Sequence, residues 1–192
     1  MFEELKSYAK INNVPIIRDE GLEFLLLEIK KHNCKSVLEV GTAIGYSALS
    51  MSTVVDKVTT IERDEAMYKE AINNISNSIY KDKIEVVFMD ALDYTPSRTY
   101  DLIFIDAAKA QNRKFFLRFT PFLNDGGIVI VDNLDFHGLT DENLDNIKSK
   151  NLRSLVRKIN EFKEWLKLNP DWDTTFTHAG DGMSVSIKRK WF

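Results

Sequence analysis

Short apolar runs alternate with longer amphipathic segments through most of this chain. Five of the short runs, rich in β-branched and aromatic residues, are predicted to be strands: 36–40, 57–61, 84–89, 100–105 and 128–131. The longer segments between them have the apolar spacing of helices. Alternating strands and helices predict βαβ units, whose right-handed crossovers cover both faces of a parallel sheet with helices.

Both ends of the chain extend this pattern. Residues 2–11 and 19–31 are predicted to form two helices, and residues 150–168 a third that ends before Pro170, which cannot continue a helix. Two strands follow, 174–177 and 183–188, and the tight turn between them makes the last strand antiparallel. The prediction is one α/β domain over residues 1–192, with a seven-stranded, mostly parallel sheet, an antiparallel last strand and helices on both faces.

Composition limits the possible classes of protein. A chain of 192 residues with 44% hydrophobic and 29% charged residues fits one soluble globular domain, and no stretch approaches the ~18 apolar residues of a membrane span. The acidic N-terminal segment lacks the apolar core of a secretory signal. Cys34 is the single cysteine, which excludes an internal disulfide and fits a reducing compartment, so we expect a cytoplasmic protein. A net charge of −3 does not suggest a general nucleic-acid coat, but it is compatible with a local basic face.

The most informative local motif leads from the first strand through a glycine-rich turn into a helix start: Val37-Leu38-Glu39-Val40-Gly41-Thr42-Ala43-Ile44-Gly45-Tyr46-Ser47. Glycines let the backbone pass close to a ligand, and a helix N-terminus offers unpaired N–H groups. The spacing G-x-x-x-G differs from the G-x-G-x-x-G of dinucleotide sites, which disfavours an NAD-dependent oxidoreductase. Glu39 would repel a phosphate but can accept a hydrogen bond from a cationic amino group, such as that of S-adenosylmethionine.

Acidic residues also end the next two predicted strands. Glu62 lies about twenty residues beyond the first motif, where an acidic side chain binds ribose hydroxyls. Asp90-Ala91 ends the third strand, and Asp90 can accept a hydrogen bond from an adenine amino group. Any one of these carboxylates alone could be a solvated strand-end residue. Acidic residues at three successive strand ends point to a nucleoside ligand, because open α/β sheets bind ligands at that edge.

A second polar group follows the fourth and fifth predicted strands. Asp106 and Lys109 come after one, and Asp132 and Asn133 after the other, so all four should meet at one edge of the sheet. Two carboxylates and an amide carbonyl are hard oxygen donors, which suit Mg²⁺, Mn²⁺ or Ca²⁺. The alternative makes Asp106 and Asp132 helix caps, with Lys109 as an ion-pair partner. The nearby His137 is as readily explained as a solvated loop residue.

Together these residues resemble the cation-dependent, catechol O-methyltransferase-like class I methyltransferases. The resemblance spans nearly the whole chain and rests on E-V-G-T-A-I-G-Y-S at 39–47, Glu62, D-A at 90–91, I-D-A-A-K at 105–109 and D-N at 132–133. It implies a Rossmann-like methyltransferase domain, a helical lid region at residues 1–33 and a homodimer.

The resemblance also assigns roles to residues. It implies S-adenosylmethionine as cofactor, held by Glu39, Gly41, Thr42, Gly45, Tyr46, Ser47, Glu62, Arg63, Asp90, Ala91 and Asp106. It implies a divalent cation, Mg²⁺ or else Mn²⁺ or Ca²⁺, on Asp106, Asp132 and Asn133. Lys109 matches the family's proposed general base, so Lys109 and Asp106 are the candidate catalytic residues.

Within the family, I-D-A-A-K-A-Q and D-N-L-x-F-H-G look most like the bacterial tRNA 5-hydroxyuridine methyltransferases. Residues 148–167 carry seven basic residues against two acidic ones, which predicts phosphate contacts by Lys150, Arg153, Arg157 and Lys158. The alternatives are a solvated helix face with Arg157 paired to Glu161 and, for the enzyme, a small catechol-like acceptor. Tyr46 or Phe136 could stack on an extruded base or simply pack in the protein. A bare RNA-binding domain would not need the four polar residues Asp106, Lys109, Asp132 and Asn133.

Overall fold

The computed structural model describes residues 1–189, so residues 190–192 of the predicted domain lie outside this description. Its centre is a seven-stranded sheet in the order β3-β2-β1-β4-β5-β7-β6. The strands are β1 Ser36–Val40, β2 Lys57–Glu62, β3 Ile84–Phe88, β4 Tyr100–Ile105, β5 Leu123–Val131, β6 Trp172–Thr177 and β7 Met183–Lys188. Strand β7 pairs antiparallel with both β5 and β6, whereas β1 to β5 pair in parallel. The predicted fold class is confirmed.

Six α-helices surround the sheet: α1 Phe2–Ile11, α2 Asp19–Lys31, α3 Tyr46–Met51, α4 Glu65–Ser76, α5 Asn112–Phe119 and α6 Lys150–Leu168, within residues 1–189. The three helices that the sequence predicts by their bounds, α1, α2 and α6, are confirmed. Helix α6 begins at the N-cap Ser149, whose hydroxyl accepts a hydrogen bond from the Leu152 N–H, and it ends just before Asn169-Pro170. No helix in this part of the chain is long and apolar enough to cross a bilayer.

The core consists of two hydrophobic clusters, one on each face of the sheet. Neighbouring strand residues alternate between them: Val37 belongs to the cluster with α1 to α4, and Leu38 to the cluster with α5 and α6. Both side chains are fully buried, which stabilises the fold by about 1.5–3 kcal/mol for a side chain of this size. The sheet is therefore covered on both faces, and its carboxyl edge is left for a site.

Strand β5 begins at Leu123, earlier than the predicted start at residue 128. The polar segment Asn124-Asp125-Gly126-Gly127 looks like a turn in the sequence, but it continues the strand through a register shift opposite β4. A Cβ at Gly127 would lie 2.8 Å from the Asp101 carbonyl oxygen, so the two backbones approach too closely for any other residue. Asn124 Nδ2 also donates to Asp101 Oδ1 at 2.7 Å. Long-range contacts therefore override the local turn signal.

Candidate active site

A cavity of about 290 Å³ lies at the carboxyl ends of β1, β2 and β4. This is the edge at which open α/β sheets bind their ligands. Most of the residues predicted to bind the cofactor line it: Gly41, Thr42, Tyr46, Ser47, Glu62, Arg63, Asp90, Ala91 and Asp106. Lys109 and Asn133 line the same cavity, so the structure brings the predicted cofactor and acceptor residues together.

The two glycines of the first motif have different functions. Gly41 has φ +101°, and a Cβ there would overlap the carbonyl oxygen of Asp106, so only glycine lets β1 and the end of β4 approach. Gly45 has φ +84° and is the N-cap of α3. It is buried, and a Cβ on it would lie 3.3 Å from Ile75 of α4. Gly45 therefore shapes the turn and the packing of α3, whereas Gly41 lies in the cavity wall.

Glu62 organises the glycine-rich loop through both carboxylate oxygens. Its Oε2 accepts hydrogen bonds from the N–H groups of Thr42 at 3.2 Å and Ala43 at 2.9 Å. Its Oε1 accepts from the N–H groups of Arg63 at 2.9 Å and Asp64 at 2.8 Å. A carboxylate that binds four backbone N–H groups ties the end of β2 to the loop after β1 and gives the cavity a defined wall.

We expect Glu62→Ala to weaken S-adenosylmethionine binding by about tenfold or more, because a hydrogen bond to a charged group contributes ~1.5–3 kcal/mol. The loop N–H groups would lose their acceptor as well as any ligand contact. Titration calorimetry measures the change, and Glu65→Ala on the exposed start of α4 is the matched control. Unchanged affinity in Glu62→Ala would remove this residue from the cofactor site.

Glu39 is fully buried, with 0% exposure, and ends a chain of buried hydroxyl groups. The Thr60 hydroxyl donates to Glu39 Oε2 at 2.6 Å, and Thr42 Oγ1 lies 2.6 Å from Thr60 Oγ1. The other carboxylate oxygen, Oε1, has no hydrogen-bond partner among the described residues. Burial raises the pKa of Glu39 to about 8 and outweighs the opposing effects of the Ser47 and Thr60 hydroxyls. Glu39 therefore supports the loop from beneath and is not among the residues that line the cavity, and its contact with the ligand's amino group stays a prediction.

The raised pKa predicts a specific pH dependence of stability. The folded protein holds the Glu39 proton between the ordinary value of 4.5 and about 8, whereas the unfolded chain releases it. The free energy of unfolding should therefore fall with rising pH in this window, by about 1.4 kcal/mol per pH unit from this group. Glu39→Gln should remove that component, so urea denaturation across the window should show the variant gaining on the wild type as pH rises. A constant difference at all pH values would contradict a protonated Glu39.

Asp90 and Arg63 form an ion pair beside the cavity, with Arg63 Nη1 3.2 Å from Asp90 Oδ2. The Leu92 N–H donates to the other Asp90 oxygen at 2.9 Å. This backbone hydrogen bond is the main cause of a lowered Asp90 pKa, and Arg63 adds to it. Asp90 is therefore a charged acceptor, which suits the predicted contact with an amino group.

Tyr46 lies 3% exposed with its ring edge-on to Phe2, so the packing alternative applies to it in this conformation.

The acidic pair and its neighbours lie where β4 and β5 end. Lys109 Nζ is 4.0 Å from Asp106 Oδ1, and Asn133 shares the cavity wall with both. Burial raises the pKa of Asp106 and of Asp132, and the repulsion between the two carboxylates raises that of Asp132 further. The alternative in which Asp106 and Asp132 are helix caps does not fit: the N-cap of α5 is Gln111, and Asp132 accepts a hydrogen bond from the Asn133 N–H.

These residues fit a divalent cation by their donor chemistry. Asp132 is buried and Asp106 is partly buried, and two carboxylates that repel each other are stabilised by a positive charge between them. The third donor is an amide, Asn133, whose backbone adopts φ +62°. Within residues 1–189, no three His, Cys, Asp or Glu side chains converge as a metal site, so the proposed set depends on this asparagine. A set of two carboxylates and one amide carbonyl leaves positions for water and substrate.

The segment between α1 and α2 closes one side of the cavity through Pro15, Ile16 and Ile17. Arg18, at the start of α2, anchors this segment on the opposite loops: it lies 2.7 Å from His137 Nδ1 and 3.6 Å from Asp181 Oδ1. His137 and Asp181 thus hold the segment before α2 against the loops that follow β5 and β6. In the predicted lid region, residues 1–33, the helices α1 and α2 pack against the hydrophobic core, and residues 15–17 line the cavity.

The four basic residues predicted to bind RNA lie in different environments. Arg153 donates to the Ile147 carbonyl oxygen at 3.1 and 2.8 Å, which commits it to the loop before α6. Arg157 lies 4.0 Å from Glu161, as the ion-pair alternative expected. Lys150 is exposed in the first turn of α6, and Lys158 is exposed beside a second groove. Only the last two face solvent without such a contact in the described structure.

Several lining residues were not identified by sequence reasoning. Met89, Ala107, Ala108 and Phe115 all line the cavity. The two alanines directly follow Asp106, so their position just after a strand end could have identified them from the sequence. Phe115 lies on α5 and reaches the site only through the packing of that helix, which no local pattern reveals.

Comparison with known proteins gives a consistent family. Residues 2–189 match the O-methyltransferase family. A caffeoyl-CoA O-methyltransferase of Populus kitakamiensis is 27% identical over 190 residues, covering 94% of this chain and 80% of the relative. The crystal structure of a candidate caffeoyl-CoA O-methyltransferase from Staphylococcus aureus has 38% identity and a TM-score of 0.93, covering 98% of this chain and 92% of that one.

A Bacillus cereus O-methyltransferase in complex with SAH has 25% identity and a TM-score of 0.82, covering 98% of this chain and 90% of that one. The chain therefore belongs to the O-methyltransferase family and is an S-adenosylmethionine-dependent methyltransferase.

Proposed function

We propose that this enzyme transfers the methyl group of S-adenosylmethionine to the 5-hydroxyl of 5-hydroxyuridine in the tRNA anticodon loop, forming 5-methoxyuridine, with the help of a divalent cation. The observation that carries the proposal is that Lys109, Asp106 and Asn133 line the same cavity as the cofactor residues. An acceptor there needs two neighbouring oxygens to bind a cation. The 5-hydroxyl and O4 of the base provide this pair, as the two hydroxyls of a catechol do.

The chain's own residues mainly bind and orient the two substrates. Glu62, Asp90 and the Gly41 loop hold the cofactor, while Asp106 and Asn133 define the place of the acceptor oxygens. Lys109, which lines the cavity beside Asp106, takes the proton that the acceptor hydroxyl loses. The oxygen then forms a bond to the methyl carbon as the carbon–sulfur bond breaks, and the sulfonium charge is neutralised. Alignment of donor and acceptor can supply roughly 7–11 kcal/mol of the barrier reduction.

Mg²⁺ or Mn²⁺ on Asp106, Asp132 and Asn133 would supply Lewis-acid stabilisation of the deprotonated acceptor oxygen. Mg²⁺ suits a site of carboxylate and amide oxygens that keeps several waters.

A second candidate is O-methylation of small catechol-like molecules. Two of the three similar proteins given above, from Populus kitakamiensis and Staphylococcus aureus, are described as caffeoyl-CoA O-methyltransferases, which supports this candidate. The same cavity and residues would serve both acceptors, so the acceptor itself must be tested.

The test is single-turnover methylation of three acceptors: tRNA that carries 5-hydroxyuridine, the same tRNA with uridine, and a panel of small catechols. We expect transfer to the hydroxylated tRNA and none to the uridine form, because uridine lacks the second oxygen. Turnover of catechols without transfer to the hydroxylated tRNA would defeat the RNA proposal and favour the second candidate.

Sedimentation of the same protein tests the homodimer that the resemblance predicts.

A further inference from the structure

A second groove, of about 550 Å³, lies between the start of α5 and the middle of α6. Its charged lining is mostly positive, with Lys109, Arg113, Lys114 and Lys158 against Glu161. Leu117 and Phe162 add apolar surface. A concave surface with this charge and a hydrophobic wall favours an anionic ligand that also carries an apolar part.

Two features of the groove favour an anionic ligand. The Arg113 guanidinium lies 4.8 Å from the centre of the Trp165 ring, which restricts its orientation before any ligand binds. Asn112 lines the groove, is 2% exposed, and its Nδ2 has no hydrogen-bond partner among the described residues. A buried amide donor without an acceptor is unfavourable, so an anion in the groove would stabilise it.

The groove also adjoins the active site, because Lys109 lines both cavities. We infer that the groove binds a phosphate group that is covalently attached to the acceptor. The inference rests on the proposed function: in RNA, each nucleoside carries phosphates on its ribose, so a base beside Lys109 places a phosphate near Lys114 and Lys158. The sequence predicts phosphate contacts along a basic helix face, whereas the inference assigns them to one groove that follows the RNA backbone.

The experiment compares acceptors that differ only in phosphate: 5-hydroxyuridine, its 3′-monophosphate and its 5′-monophosphate. The wild type should have a KM for at least one monophosphate that is about tenfold lower than for the nucleoside, as expected of one added charge-assisted contact. Lys158→Glu and Lys114→Glu should lose this preference, and so should Asn112→Asp, whose melting temperature reports on folding. The matched control is Lys30→Glu, a reversal on the exposed face of α2 across the sheet, which should keep it.

A parallel measurement uses tRNA carrying 5-hydroxyuridine. Lys158→Glu should lower the slope of log affinity against log salt by about 0.7 for each single-strand phosphate contact that is lost. Lys30→Glu should leave the slope unchanged. Equal slopes in wild type and Lys158→Glu, or an equal monophosphate preference in both, would overturn the groove assignment.

Failure of the proposed acceptor would give a different result. If no 5-hydroxyuridine compound is methylated, the same kinetic comparison is made with a catechol and a catechol that carries a phosphate on a flexible linker. A preference for the phosphorylated catechol that Lys158→Glu abolishes would support the groove with a phosphate from a small molecule. The absence of any preference would overturn it.

Discussion

Lys109→Gln is expected to lower kcat for methyl transfer to a small catechol by about 10²- to 10⁴-fold, the usual contribution of a general base. The affinity for S-adenosylmethionine should change little, because Lys109 lies at the Asp106 and Asn133 side of the cavity, away from Glu62. Pre-steady-state kinetics separate the chemical step from product release, and calorimetry reports cofactor binding.

Lys109→Arg distinguishes proton transfer from a simple charge effect. Arginine keeps a cation near Asp106, but it cannot be deprotonated at the pH of the assay. If Lys109 acts as a base, Lys109→Arg should therefore lose as much activity as Lys109→Gln. Recovery of most of the activity by arginine would show that Lys109 acts through its charge, and Lys30→Gln on exposed α2 controls for the loss of a lysine.

Removal of the metal is also expected to have a large effect on methyl transfer. Excess chelator, or Asp132→Asn, should lower transfer by about 10³-fold or more, because Lewis-acid stabilisation contributes several kcal/mol and each 1.36 kcal/mol is tenfold in rate. Cofactor binding should survive, since Glu62 and Asp90 line a different part of the cavity. Added Mg²⁺ or Mn²⁺ should restore the chelated wild type but not Asp132→Asn.

The same site should be visible in stability measurements. Asp132 is buried beside Asp106, and its burial, together with the repulsion between the two carboxylates, destabilises the metal-free protein. Asp132→Asn should therefore raise the metal-free melting temperature, whereas Mg²⁺ should raise that of the wild type alone. Asp125→Asn, an exposed isosteric change in β5, should do neither. Full turnover in excess chelator would contradict a metal-assisted mechanism and leave Asp106 and Asp132 without a metal-binding function in catalysis.

Local patterns were sufficient for the elements that bury one continuous apolar face. Helices α1, α2 and α6 have a 3.6-residue apolar period over ten or more residues, and their predicted bounds agree with the structure. The apolar run of β4 likewise identifies a strand buried on both faces. Strand β5 was predicted too short, because its first residues are polar and its pairing depends on Gly127 meeting Asp101 across the sheet.

The mostly parallel sheet and the chemistry at its strand ends followed from sequence, because parallel strands bring their carboxyl ends to one edge and the residues just after each strand must meet there. The order of the strands came from the structure. Sequence could thus collect Glu62, Asp90 and Asp106 into one site. Only the tertiary structure decided which groups are accessible and which are already bonded: Glu39 is buried beneath the loop, and Arg153 is held by the Ile147 carbonyl. Burial and hydrogen bonding depend on residues distant in the chain, so the groove between α5 and α6, which Asn112 and Lys158 both line, could not be predicted from local sequence.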